Sequence, residues 1–395
     1  MVARKSIKKI LLLCLLLVIV YFIYFVLNTT HFNKSHNIKG IEYCGVAKFY
    51  NNKKVALIFR IDDLSLVYQN ENDVRWFKDF IKLANSYGIR LVIATITRAP
   101  PRPYELVSFD EKDVSFVKNI SGYNEIASHT RWHLRAPRKI EDVVGSFVDL
   151  VYYVFKGRYR LFTYIYPFGS YDRLDIVYEK IFGVPIGMVL KVKGVLSDPW
   201  YWTDSYWRVL PITRKFNYND VRNINVSNMA NQDLNKALKE HGVIIYFTHP
   251  TKLNWPNNKT MIRFFTKLFR ILEYHKNVIW FTTPRELYSY IELGKKLRVN
   301  KVKYADNFVE YRLYYVSEPG YCVFVPLTLI FKIPTDCYIE SIVYNNITLL
   351  NESSLFYDSS KIHYNVYYIK SRYLYVNVLV NKSSCLKIYY RYNSK

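Results

Sequence analysis

Short apolar runs alternate with longer amphipathic segments across residues 54–294. Val55–Ile61 is apolar except for Arg60, which is typical of a buried parallel strand. Asn72–Tyr87 spaces its apolar residues as a helix does, and Gly88 follows it as a stop signal. The same patterns predict strands at Leu91–Ile96, Glu125–Ser128, Phe162–Tyr166, Met188–Val192, Val243–Thr248 and Val278–Thr283, and helices at Ile140–Phe155, Asp233–Glu240 and Met261–His275. Such alternation predicts a parallel, barrel-like α/β domain.

The pattern changes after Gly294. The basic segment 295–303 predicts a linker. Residues 304–395 contain short runs rich in Tyr, Val and Ile, separated by turn residues, which predicts an all-β, sandwich-like domain. Its predicted strands are Tyr321–Pro326, Leu329–Lys332, Tyr338–Tyr344, His363–Ile369, Tyr373–Leu379 and Leu386–Arg391.

The N-terminus predicts a membrane anchor. Ile10–Leu27 contains no charged residue and no glycine, and at about 1.5 Å per residue it nearly spans a ~30 Å hydrocarbon core. Residues 1–9 are basic, so the positive-inside rule places them in the cytoplasm and the rest of the chain outside the membrane. We therefore expect a single-pass protein with a polar stalk at 28–53. A cleaved signal peptide is the alternative.

The remaining composition supports an extracytoplasmic location. Eight Asn-x-Ser/Thr glycosylation signals begin at Asn28, Asn33, Asn119, Asn225, Asn258, Asn346, Asn351 and Asn381. Four cysteines follow the anchor, which is compatible with disulfides, and Cys322–Cys337 is the favoured pair. The net charge of +24 favours anionic partners such as acidic glycans or lipid headgroups. Nucleic acid is not expected as a partner, because clusters of basic residues interleaved with aromatics are absent.

Two polar clusters at predicted strand ends are typical of metal ligands. Asp62 and Asp63 follow the first strand, and an adjacent carboxylate pair can supply one ligand and one base, although a helix cap or a turn is the simpler interpretation. His129 and His133 follow the third strand, and two histidines four residues apart share a helical face. Two histidines at this spacing occur by chance in many helices, so the interpretation as metal ligands depends on the position of the pair directly after a predicted strand.

Two further clusters occupy equivalent positions. Pro167, Phe168 and Gly169 form a tight loop whose backbone N–H groups could face an oxyanion, or an ordinary strand-to-helix turn. His249 follows another apolar strand and is a candidate general acid. All four clusters fall where parallel barrels carry their catalytic residues.

The order of these clusters resembles the polysaccharide deacetylase family, carbohydrate esterase family four, which is also called the nodulation-protein-B homology domain. The resemblance covers about residues 50–294. It implies a distorted (β/α) barrel that removes N- or O-acetyl groups from sugars. It also implies a divalent metal, with zinc expected and Co, Mn or Ni as alternatives. The implied roles are metal ligands Asp63, His129 and His133, general base Asp62, general acid His249, and an oxyanion contact from the backbone of Phe168.

The sequence departs from the family pattern at three places. Leu64 stands where the family has Gly after the Asp pair, and Ile165 stands where it has an Arg that orients the base. Arg60, Arg131 or Arg135 are candidate replacements for that Arg. The family's fourth motif, an Asp near a Trp, is matched only loosely by Asp198 and Trp200, or by Asp204.

Three functional hypotheses follow. The first is a metal-dependent deacetylase acting on an extracytoplasmic polysaccharide or other acetylated glycan. The second is a catalytically weak, glycan-binding membrane protein whose β domain binds carbohydrate. The third is a glycosidase that pairs Asp62 with Glu125, but it leaves the two metal-spaced histidines without a purpose. The sequence carries no signal for the sugar or the oligomeric state.

Overall fold

The computed structural model describes residues 40–66, 71–98, 111–318, 322–323, 325–351, 365–380 and 383–392. The predicted basic tail 1–9, the predicted anchor 10–27 and most of the predicted stalk lie outside these residues. Among the described helices, none combines the length and apolar character needed to cross a membrane. From Glu42 onward the chain forms one compact unit, the property expected of a segment that folds by itself.

The first ten strands, in chain order, are β1 (Glu42–Val46), β2 (Val55–Ser65), β3 (Leu91–Ile96), β4 (Glu125–Ser128), β5 (Thr163–Ile165), β6 (Ile186–Val192), β7 (Leu210–Ile212), β8 (Arg214–Phe216), β9 (Val243–Thr248) and β10 (Ile279–Phe281). All except β1 belong to one parallel sheet with the order β7-β6-β5-β4-β3-β2-β9-β8, in which β10 pairs with β2. The predictions for β3, β4 and β9 are confirmed to the residue.

A single chain segment nearly closes this sheet into a barrel. β7 pairs with β6 at one edge, whereas β8 pairs with β9 at the other edge. Only Thr213 separates β7 from β8, and its N–H donates to Ile245 O at 2.7 Å while its Oγ1 accepts from Ile245 N at 2.9 Å. The structure is therefore a nearly closed parallel (β/α) barrel, as the pattern of the sequence predicts.

The helices are α1 (Glu71–Ser86), α2 (Glu111–Ile120), α3 (Ile140–Val148), α4 (Arg173–Ile181), α5 (Asp204–Trp207), α6 (Tyr218–Val221), α7 (Val226–Glu240), α8 (Asn258–Tyr274) and α9 (Pro284–Lys296). Aromatic packing joins α1 and α8 to the barrel: Phe80 and Phe265 have ring centroids 4.8 Å apart, and both rings contact Phe59 of β2. The predicted helix Ile140–Phe155 is α3 followed by a π-helical turn, Asp149–Val154.

The C-terminal strands are β11 (Leu297–Ala305), β12 (Phe308–Tyr315), β13 (Leu327–Lys332), β14 (Cys337–Tyr344), β15 (Ile347–Thr348), β16 (Leu350–Asn351), β17 (Val366–Lys370), β18 (Tyr373–Val378) and β19 (Ser383–Tyr392). Together with β1, they form two five-stranded sheets with the orders β1-β13-β18-β17-β16 and β11-β12-β19-β14-β15. The sheets contact each other through Tyr311 and Phe331, whose ring centroids lie 5.1 Å apart.

Two predicted boundaries are wrong. The predicted linker 295–303 is the end of α9 followed by β11, because α9 passes directly into a strand. The described end of the predicted stalk contains β1, which pairs antiparallel with β13. Residues just before the barrel therefore complete a sheet of the C-terminal domain, and Tyr290 of α9 ties them to the barrel by donating to Ala47 O at 2.9 Å.

The predicted disulfide between Cys322 and Cys337 is also wrong, since all four described cysteines are free thiols. Cys322 lies beside Ser289 on α9, whereas Cys337 begins β14 next to Asp336. The two thiols therefore lie beside different secondary-structure elements, α9 and β14.

A buried carboxyl group in α4 makes stability depend on pH. Glu179 has no solvent exposure, and its nearest cation is Arg208, at 3.6 Å. Burial raises the pKa of Glu179 from 4.5 to about 8. The folded state thus holds the proton more tightly than the unfolded state, so the contribution of Glu179 to stability is lost as pH rises from about 4.5 to about 8.

We expect Glu179→Gln to raise the free energy of unfolding at pH 8 by about 3–5 kcal/mol and to leave it nearly unchanged at pH 4. Urea unfolding of both proteins at a series of pH values measures the difference. A variant that tracks the wild type at every pH would contradict the assignment.

Candidate metal centre

A β-bulge in β2 positions the two adjacent carboxylates. The register between β2 and β3 shifts between Ile61 and Leu64, where two residues of β2 face one residue of β3. Asp63 has a φ of 72°, in the left-handed region. In a regular strand Asp62 and Asp63 would point to opposite faces, but a bulge re-aims one of them. Both side chains therefore approach the same histidine, with His129 Nε2 lying 3.9 Å from Asp62 Oδ2 and 3.2 Å from Asp63 Oδ1.

The two histidines converge through a loop, which corrects the prediction that they share a helical face. Residues 129–133 follow β4 without forming a helix. Thr130 and His133 adopt left-handed φ values of 67° and 55°, and His133 N donates to Thr130 Oγ1 at 2.8 Å. This tight turn brings the Nε2 atoms of His129 and His133 to 3.1 Å from each other.

Asp63, His129 and His133 form a group whose donor atoms lie within 4.8 Å of one another. His129 Nδ1 lies 2.8 Å from Ile165 O, and because a carbonyl only accepts, Nδ1 holds the proton and Nε2 presents its lone pair. Asp63 Oδ1 is buried without a hydrogen bond and lies 3.3 Å from His133 Nε2. One carboxylate oxygen and two imidazole nitrogens that converge in this way fit a divalent metal.

The protonation states also suit metal binding. Burial first, and then the charge of His129, lower the pKa of His133 to about 4. Burial alone would raise the pKa of Asp63, but its electrostatic interactions with His129, His249 and His133 hold it below the ordinary value. At neutral pH, His133 is thus neutral and Asp63 ionised, the forms that coordinate a metal.

Arg60 holds Asp62 from within the same strand. Its Nε donates to Asp62 Oδ1 at 2.7 Å and its Nη2 to Asp62 Oδ2 at 2.5 Å, while its Nη1 donates to Val189 O at 3.2 Å. Both side chains of this ion pair are almost completely buried, and the guanidinium also lies 4.8 Å from the ring centroid of Phe247. Of the three candidate replacements for the family's Arg, the structure places Arg60 on the carboxylate of Asp62.

His249 reaches the centre from the end of β9. Its Nε2 lies 3.2 Å from Asp63 Oδ2, and its ring contacts the preceding Phe247 at 4.7 Å between centroids. Burial lowers the pKa of His249. Its Nδ1 is buried and has no hydrogen-bond partner in the described part of the chain. His249 therefore contacts the same carboxylate as the histidine pair, but at its other oxygen.

The Pro167–Gly169 loop borders the centre, and a buried arginine holds it. Phe168 has a φ of 56°, and its half-exposed ring lies 4.6 Å from the ring of His133, measured between centroids. The guanidinium carbon of Arg135 lies 4.7 Å from the centroid of the Phe168 ring. Arg138 donates to Pro167 O at 3.2 Å. Gly169 has a φ of 68°, and a Cβ atom there would lie 2.9 Å from Leu190, so a larger residue does not fit.

Three acidic residues that the sequence analysis missed support these loops. Asp175 forms a buried ion pair with Arg138. Asp142 Oδ1 accepts from Trp132 N at 2.6 Å, and Asp149 receives two hydrogen bonds from Arg131, at 2.9 and 3.0 Å. Asp142 and Asp149 both interrupt the apolar pattern of the helix predicted at Ile140–Phe155, which is the sequence signal that could have found them.

Other predicted residues lie away from the centre. Asp198 forms an ion pair with Lys48, and Trp200 Nε1 donates to Lys48 O at 2.7 Å. Both residues therefore hold the segment that follows β1 rather than supporting His249.

Glu125 is the first residue of β4, whereas His129 follows the last residue of that strand. The carboxylate of Glu125 therefore lies toward the amino end of the barrel. There it accepts from Thr163 Oγ1 at 2.6 Å and from Arg285 N at 2.9 Å. A glycosidase pair of Asp62 and Glu125 does not form.

No family model and no curated protein matches the sequence. The chain is similar to solved structures of an allantoinase (13% identity, TM-score 0.43, covering 62% of this chain and 92% of that one) and of a putative polysaccharide deacetylase from Mycobacterium smegmatis (10%, 0.40, 65% and 95%). It is also similar to a family 4 acetyl xylan esterase from Clostridium thermocellum, solved with a cobalt ion (10%, 0.36, 59% and 90%). Likeness at this level assigns neither activity nor substrate to the chain.

We expect zinc to stabilise the folded protein through Asp63, His129 and His133. At zinc concentrations about 100 times the dissociation constant, binding contributes about 2.7 kcal/mol. Since the compact unit extends from Glu42 to Lys395, this should raise the thermal midpoint by about 3–5 °C. Asp63→Asn should remove this shift, because Asn keeps the size and tolerates the left-handed backbone but carries no charge.

Asp306→Asn is the matched control, since Asp306 is an exposed acid in the turn between β11 and β12, outside the barrel. Differential scanning calorimetry with and without zinc, together with metal analysis of the purified proteins, gives the readout. An equal zinc shift in wild type and Asp63→Asn would rule out this centre.

Proposed function

We propose that this protein is a metal-dependent hydrolase that removes N- or O-acetyl groups from an extracytoplasmic polysaccharide or glycan. One observation carries the proposal: Asp63, His129 and His133 converge beside Asp62, a second carboxylate that Arg60 holds in a buried bidentate pair. A three-ligand centre leaves coordination positions open for a reaction, whereas a structural site would close them. The predicted N-terminal anchor is the basis for the location.

Asp63, His129 and His133 would hold a divalent ion, which would supply Lewis acidity toward an acetyl carbonyl and toward a bound water. Asp62, fixed by Arg60, accepts the proton from the attacking water. The N–H of Phe168 donates to the developing oxyanion. The N–H groups of the next two residues, Gly169 and Ser170, instead donate to Tyr166 O and Pro167 O. His249 donates a proton to the departing amine or alcohol and so releases the sugar.

A glycan-binding protein with weak catalysis is the second candidate. The observation that favours it is the buried, unpartnered Nδ1 of His249, because an acid that tunes a catalytic histidine is expected at that atom. In this case the protein binds acetylated oligosaccharides and releases no acetate.

We expect the zinc-loaded protein to release acetate from N- or O-acetylated oligosaccharides. Asp62→Asn should lower kcat by about 10²–10⁴-fold, because it removes the base but leaves the three metal ligands in place. Acetate release is measured enzymatically, and zinc content is measured on the same samples. Asp306→Asn again serves as the control, and a zinc-loaded wild type that binds these sugars without releasing acetate would establish the second candidate instead.

Arg60→Met tests the clamp on Asp62. We expect it to lower the free energy of unfolding by about 3–5 kcal/mol, because it leaves a buried carboxylate unpaired. It should also lower kcat more than it changes KM, with zinc content unchanged. Arg75→Met is the matched control, since Arg75 pairs with Asp79 at 3.9 Å on the surface with 76% of its side chain exposed, and such a pair contributes less than about 1 kcal/mol. Equal effects of the two variants on stability and kcat would contradict the role of Arg60.

A further inference from the structure

The end of the barrel opposite the metal centre contains an apolar cavity that the proposed reaction does not use. The cavity has a volume of about 350 Å³ and is lined by the end of α3, by its π-helical turn, and by the segments that lead into β5 and β6. Residues that precede parallel strands lie at the amino end of a barrel, whereas Asp63, His129 and His133 lie at the carboxyl end. The volume falls within the range of small-molecule sites.

Exposed apolar side chains surround this cavity. Ile181 is 69% exposed, Tyr152 is 64% exposed and Phe182 is 41% exposed. Tyr152 and Phe182 also line the cavity, and Phe182 contacts the buried Phe147 with 5.3 Å between ring centroids. Isolated exposed apolar residues are ordinary on proteins, but a patch continuous with an apolar cavity marks a binding surface. We call this patch and cavity the basal surface.

Cations border the basal surface. The segment 155–161 contains Lys156, Arg158 and Arg160 and no acidic residue, and all three cations are exposed. Arg158 and Arg160 line the cavity itself. Lys180, next to Ile181, is also exposed. An apolar interior with a basic border is complementary to an amphiphile that has an acyl chain and an anionic headgroup.

We propose that the basal surface binds an anionic lipid bilayer, with one acyl chain in the cavity and phosphate groups at Arg158 and Arg160. A second copy of the chain fits this surface less well. A symmetric contact would bring two sets of these cations together, and each chain has a net charge of +24. Exposed tyrosine and phenylalanine beside lysine and arginine are instead typical of proteins that lie in the headgroup layer.

Binding in this way orients the enzyme. Because the basal surface and the metal centre lie at opposite ends of the barrel, a docked protein presents the centre away from the bilayer. The reactive end then faces material outside the membrane, such as a polymer layer, rather than lipid-linked sugars at the bilayer surface. The inference does not depend on the reaction at the metal centre.

Residues 40–395, which contain the whole compact unit and lack the predicted anchor, can be tested with vesicles of phosphatidylglycerol and phosphatidylcholine in equal amounts. We expect sedimentation with these vesicles at low salt, little with phosphatidylcholine alone, and release at high salt. Ile181→Glu and Arg158→Glu should each weaken binding by about fivefold or more. The matched controls are Leu253→Glu and Lys252→Glu, whose exposed side chains follow β9 at the other end of the barrel.

Thermal unfolding and zinc content of each variant confirm that it is folded. The proposal is overturned if the protein ignores anionic vesicles at low salt, or if the control variants lose binding as much as the basal variants. Concentration-dependent dimerisation that Ile181→Glu abolishes, without vesicle binding, would identify a second copy as the occupant and also overturn it.

Discussion

The left-handed backbone of Asp63 is the constraint on which the candidate site depends. A regular strand would place one of the two adjacent carboxylates inside the barrel and the other outside it. The bulge removes this alternation, so Asp63 meets three histidine Nε2 atoms at 3.2–3.3 Å while Asp62 stays within 3.9 Å of one of them. A ligand and a base can therefore come from consecutive residues, which a strand without a bulge cannot provide.

The same kind of backbone recurs around the centre. Thr130, His133 and Phe168 also have positive φ values, although none of them is glycine. Each such residue costs about 1–3 kcal/mol, so the surrounding structure must offset the cost. Buried ionic contacts are suited to this: Arg138 with Asp175 holds the Phe168 loop. The contacts that hold this loop thus come from side chains outside the candidate metal centre.

Sequence periodicity predicted the barrel, since period-two and helical patterns report burial directly, and the strand ends then indicated the residues that converge at the candidate metal centre. It could not predict how those ligands converge. The bulge at Asp63 and the turn at His129–His133 depend on register and on backbone conformations that no local pattern encodes. The linker and stalk were mispredicted for a related reason. β1 pairs with β13, which is distant in sequence, and β11 is an edge strand with mostly exposed side chains, so neither segment has a strong apolar pattern of its own.

Arg60 pairs with Asp62, a contact for which the family resemblance would require an Arg at the position of Ile165. Its position two residues before Asp62 puts both side chains on one face of β2, and the pair is closed in by Val189 O and the ring of Phe247. A guanidinium buried to this extent is costly unless it is paired and hydrogen-bonded on every side. Because Asp62 supplies that pairing, the buried arginine and the carboxylate require each other, and neither residue can be lost alone without destabilising the barrel core.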